Sequence, residues 1–78
     1  MSYPASPRVL IANRGEIAVR IIRTLAELGW YSVAVYAEDD SESQHVLKAD
    51  NAIPLQGSGP DVYLDIETLV EIARQQEC

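Results

Sequence analysis

The sequence predicts an α/β fold, the first half of a doubly wound parallel sheet, and three observations carry that prediction. Three short apolar runs rich in Val, Ile and Leu are spread along the 78 residues. Each run is followed by a stretch with helical periodicity, so strands and helices alternate. A strand, a helix and a second strand in that order form a right-handed βαβ unit with parallel strands.

The first run, "RVLIA" from Arg8 to Ala12, is continuous between Pro7 and Asn13 and reads as a strand buried on both faces. A helix from Arg14 to Leu28 follows, stopped by Gly29 where a left-handed residue closes a helix. "YSVAVYA", Tyr31 to Ala37, is β-branched and aromatic, a second strand. Four acids within the five residues from Glu38 to Glu42 then read as a solvated loop. A short helix capped by Ser41 or Ser43 comes next, with Val46, Leu47 and Ala49 as its apolar side up to Asp50. "NAIPL", Asn51 to Leu55, is a third strand whose Pro54 places it at a sheet edge or a strand end. "QGSGPDVY" is a loop, and Asp65 caps the last helix, which runs to about Gln76 with Leu64 and Leu69 set as a hydrophobic staple.

Composition narrows the function. A chain this short forms one domain at most and hides a small fraction of its surface, so its stability is expected to be marginal. Hydrophobic residues make up 47% and charged residues 23%, ordinary for an α/β protein. The formal charge of −6, from 12 acidic and 6 basic residues without a Lys/Arg cluster, argues against nucleic acid as a partner. Cys78 is the single cysteine and has no ligand set around it, which fits a reducing compartment, expected to be the cytoplasm. No apolar run approaches the roughly 18 residues of a membrane span, and residues 1–7 read as a flexible lead-in without the apolar core of a secretory signal.

The turn Asn13, Arg14, Gly15, Glu16 sits where a strand runs into a helix, so its backbone N–H groups could face an anion and line a cleft. The spacing lacks both G-x-G-x-x-G and G-x-x-x-x-G-K-[ST], and Glu38 matches a ribose-binding acid only in position. Asn13 as N-cap with Glu16 three positions later makes a capping box, which explains more of the residues.

The same helix carries Ile17, Ile21, Ile22, Leu25 and Leu28 on a face for the sheet, with Glu16, Arg20, Arg23 and Glu27 opposite. Either that charged stripe is solvated and braced by the pairs Glu16–Arg20 and Arg23–Glu27, or two copies meet antiparallel across it. His45 reads as a packed or exposed histidine, Trp30 and Tyr31 as packing, and Gly57 to Pro60 as a plain turn. No nucleophile and base pair stands out, so no catalytic residue is assigned and no metal is expected.

The strings "VLIANRGEIAVRIIRTLAELG", "SVAVYAEDD", "HVLKADNAIPL" and "GPDVYLDI", in that order, closely resemble the N-terminal domain of biotin carboxylase. The resemblance covers nearly all of the chain from Arg8. It implies a Rossmann-like pre-ATP-grasp fold, a three-layer sandwich with a short parallel sheet and about three helices. It further implies that residues 8–78 are the N-terminal part of that domain, stopping before the ATP-grasp region.

In the family, ATP, Mg2+ and bicarbonate serve to carboxylate biotin on a carrier domain. The glycine-rich ATP loop and the catalytic lysines, glutamates and arginines belong to later segments, so the chain alone is expected to bind no cofactor and to be inactive. Arg20, Arg23 and Glu27 match positions at the family's dimer contact. The implied role is to scaffold and dimerise the carboxylase, with the rest of that enzyme as partner, and the mitochondrial matrix becomes the alternative compartment. A stand-alone Rossmann-like module for a nucleotide, an anion or a partner protein is the other reading.

Overall fold

The computed structural model describes residues 7–78. The proposed lead-in therefore lies outside the described residues except for Pro7, whose carbonyl accepts the Tyr31 N–H at 2.9 Å. The elements alternate as expected: β1 (Arg8–Ile11), α1 (Gly15–Leu28), β2 (Tyr31–Tyr36), α2 (Gln44–Lys48), β3 (Asn51–Pro54) and α3 (Ile66–Gln75), with 3₁₀ turns at Glu38–Asp40 and Pro60–Leu64.

The three strands form one parallel sheet in the order β1-β2-β3. Ile11 pairs with Ala34 and Tyr36 with Pro54, so β2 and β3 end level and β1 ends two residues short of them. Only the central strand is fully enclosed: Ser32 to Val35 are buried, whereas Arg8, Val9 and Leu10 are half-buried. Both faces of the first strand carry packing, as expected, but it is an edge strand, because its far flank has no neighbour among the described residues. Pro54 ends β3 at the opposite edge, where its missing N–H interrupts no ladder.

Alternation along β1 feeds two cores. Val9 and Ile11 face Ala18, Ile22 and Leu25 of α1, while Leu10 and Ala12 pack with Val35, Leu55, Tyr63 and Ile72 on the other side. The result is three layers, with α1 on one face and α3 on the other. Gly29 closes α1 in the left-handed region (φ 74°), and its N–H reaches the Ala26 carbonyl at 3.1 Å.

Four expectations need correction. Ile17 and Leu28 are 62% and 55% exposed, because they lie at the margin of an arc centred on Ala18, Ile22 and Leu25. Leu47 is also exposed, and the buried residue of α2 is His45, whose Nε2 lies 3.3 Å from the Val35 carbonyl. Ser43 holds the N-cap position of α2 but makes no side-chain cap bond. The staple does not close: Tyr63 is the residue that the second 3₁₀ turn buries, which leaves the adjacent Leu64 at 74% exposed. Asp65 does cap α3, accepting from the Thr68 N–H at 3.2 Å and its hydroxyl at 2.8 Å.

Polar clamps hold the amino-terminal pole of the sheet. The Arg8 guanidinium stacks 4.1 Å from the Tyr31 ring centroid and donates to the Gln76 carbonyl at 2.6 Å. Asp50 accepts from the Ser32 N–H at 2.8 Å and returns its own N–H to the Ser32 hydroxyl at 3.0 Å. Trp30, expected to pack, remains partly exposed.

Candidate functional site

In a doubly wound sheet, ligands bind beyond the carboxyl ends of the strands, where the strand order reverses. The described strands run β1-β2-β3 without such a reversal, and the turn from Asn13 to Glu16 lies beyond the carboxyl end of β1.

The capping box does not form. The N-cap of α1 is Arg14, in extended conformation, with no side-chain cap bond. Asn13 falls one residue too early, because the chain turns through Gly15 at φ +66°, in the left-handed region. A Cβ on Gly15 would meet nothing within 4 Å, so the glycine is required by conformation and not by close approach of a neighbour. Asn13, Gly15 and Glu16 are exposed.

Arg14 is the member of the turn that reaches across the sheet. Its Nη2 lies 3.6 Å from Asp40 Oδ1, and its Cζ stands 5.8 Å from the Tyr63 ring centroid. Tyr63 donates its hydroxyl proton to Asp40 Oδ2 at 2.7 Å and accepts the Ala37 N–H at 2.9 Å. Burial first, and then the neighbouring Asp40 carboxylate, push the Tyr63 phenol up to about 12, with the Ala37 N–H pulling the other way. Asp39 accepts the Gly59 N–H at 3.2 Å, and the Gly57 carbonyl accepts the Glu38 N–H at 3.0 Å.

The acidic stretch is therefore a junction and not merely a solvated loop. It ties the ends of all three strands together, a role that reading the charges along the chain did not reveal. The signal in the sequence was a tyrosine among turn residues, which by itself names no partner.

The charged stripe on α1 is exposed as expected. Of the two proposed braces, Glu16–Arg20 closes, at 3.7 Å, and Arg23 and Glu27 form no ion pair among the described residues. Among the described residues no three His, Cys, Asp or Glu side chains converge as a metal site, and no helix is long and apolar enough to cross a membrane.

Comparison with known proteins supplies the family. The family model described as biotin carboxylase, N-terminal domain, matches residues 5–78. The chain is 56% identical over 68 residues to the urea amidolyase of Saccharomyces cerevisiae, covering 86% of the chain and 4% of that protein. It superposes with a TM-score of 0.91 and 55% identity on the biotin carboxylase domain of a single-chain bacterial carboxylase, over 94% of this chain and 17% of that one. A third likeness, with a TM-score of 0.89 and 41% identity over 97% of this chain and 17% of the other, is to the biotin carboxylase domain dimer of Hydrogenobacter thermophilus 2-oxoglutarate carboxylase, in complex with MgADP, ADP and bicarbonate. The chain thus spans less than a fifth of each of these proteins.

Proposed function

The chain belongs to the biotin carboxylase N-terminal domain family, and from that premise we propose that it serves as the N-terminal scaffolding and dimerising segment of the biotin carboxylase component of a biotin-dependent carboxylase. The parent reaction is the ATP- and bicarbonate-dependent carboxylation of biotin. The observation that carries the scaffolding role is the open sheet: β1 has no paired strand on its outer flank among the described residues, and the polar side chains beyond the carboxyl ends of the strands are engaged with one another.

The donor set agrees with this division of labour. Arg14, Asp40 and Tyr63 bond among themselves, which supports a structural role for these side chains. ATP, Mg2+, bicarbonate and biotin are accordingly assigned to the remainder of a larger carboxylase, which together with its biotin carrier domain is the proposed partner. Arg20, Arg23 and Glu27 are assigned to a dimer contact; their exposure on α1 supports this, as does the dimer of the 2-oxoglutarate carboxylase relative. The proposed compartment is a reducing one, the cytoplasm.

Titration calorimetry with MgATP tests the reading. No saturable heat is expected from the chain alone. A saturating isotherm with a Kd near 1 μM, about −8 kcal/mol of binding, would overturn it in favour of a stand-alone nucleotide module.

A further inference from the structure

The contacts of Tyr63 exceed what packing requires. The residue is 6% exposed and belongs to the core with Val35, Ala37, Leu55 and Ile72, a place that a phenylalanine would fill equally well. Its hydroxyl nevertheless makes two bonds, to Asp40 at 2.7 Å and from the Ala37 N–H at 2.9 Å. Asp40 turns its second oxygen to Arg14, whose side chain is about half exposed beyond the carboxyl end of β1. The chain of contacts therefore runs from the buried core to the one cationic side chain of the β1–α1 turn. Three separate segments, carrying Arg14, Ala37 with Asp40, and Tyr63, are joined in one polar network.

An arginine left to itself on a surface samples many rotamers, and holding it costs side-chain entropy. An exposed ion pair alone contributes little towards that cost. A carboxylate that is itself fixed by a buried phenol is a better anchor, because Asp40 is already immobilised before Arg14 meets it. We propose that Tyr63 and Asp40 are positioning residues for biotin carboxylation, holding Arg14 and the turn through Gly15 beyond the carboxyl end of β1, the side on which ligands bind in such sheets. Neither touches the reacting atoms. The inference rests on the scaffold reading above.

The test transplants residues 8–78 in place of the matching segment of the Hydrogenobacter thermophilus biotin carboxylase domain. Bicarbonate-dependent ATP cleavage with free biotin is then compared for the unmutated chimera, Tyr63→Phe and Asp40→Asn. Each rate is normalised to the folded fraction measured by circular dichroism. The expected result is a fall in kcat of about tenfold per folded molecule in both variants, the scale of a small misplacement near a reacting centre, with KM for MgATP changed less than about twofold. In the 78-residue chain, the Arg14 Nε–H group should lose order by ¹⁵N relaxation in Asp40→Asn and Tyr63→Phe alike. An active chimera whose variants keep full kcat per folded molecule, or an Arg14 signal equally ordered in all three chains, overturns the positioning role. An inactive unmutated chimera is instead a failure of the scaffold reading, and it removes the catalytic part of this inference with it.

Discussion

Gly15 and Asn13 show how local reasoning succeeds and fails at the level of one residue. A glycine at the head of a helix was visible in the sequence, but its purpose was not, since φ +66° is a property of the folded turn. Alanine at this position should lower stability by roughly 1–2 kcal/mol, the cost of holding a Cβ-bearing residue in the left-handed region, as measured by urea unfolding. Asn13→Ala should stay within about 0.5 kcal/mol, because Asn13 lies outside the cap; a loss comparable to that of Gly15→Ala would restore the capping box. Tyr63 adds a pH dependence. Its phenol is raised from 10.0 to about 12 in the folded chain, so folding favours the neutral form. The corresponding stability is fully present below pH 10 and is lost as pH rises through 12. Tyr63→Phe should flatten that alkaline limb in thermal melts between pH 9 and 12.

Among the elements, α1 was the most legible, since its period placed Ile22 and Leu25 inside and Arg20, Arg23 and Glu27 outside. The width of the buried arc was less legible. A five-residue apolar face fits the period, but the sheet beneath accommodates its centre and leaves Ile17 and Leu28 at the margin. Ile22→Ala should therefore cost about 3 kcal/mol through the cavity it leaves, whereas Leu28→Ala should cost no more than about 0.5 kcal/mol; equal losses in urea denaturation would show that the arc is wider. The short helix α2 was read by its apolar residues, yet it buries His45 beside the Val35 carbonyl and exposes Leu47. Five residues hold too little periodicity to say which side faces the sheet. At α3 the cap was legible because an Asx cap is a purely local motif. The Thr68 hydroxyl and N–H hold the Asp65 carboxyl below its ordinary value, so its contribution is present at neutral pH and is lost on acidification through that lowered value. Asp65→Ala should reduce helicity at pH 7 and remove that acid dependence in far-UV circular dichroism.

At the level of the whole molecule, two uncovered surfaces govern behaviour in solution. The outer flank of β1 lacks a paired strand among the described residues, and α3 exposes Ile66 and Val70, one turn apart. Open edges and apolar faces favour self-association, so light scattering over a concentration series should show a folded chain heavier than a monomer. Arg20→Glu combined with Arg23→Glu should shift that mass towards the monomer if the stripe on α1 is the contact; an unchanged mass would move the contact to the sheet edge. The sequence by itself determined the alternation of strands and helices, the parallel sheet, the stop at Gly29, the cap at Asp65 and the family, because each rests on residues close together in the chain or on a specific ordered string. Only the tertiary structure decided that β1 is an edge, which of the apolar residues of α1 are covered, and that Arg14, Asp40 and Tyr63 meet. Those outcomes depend on which strands lie side by side and on the register between them, and periodicity along one segment carries no information about either.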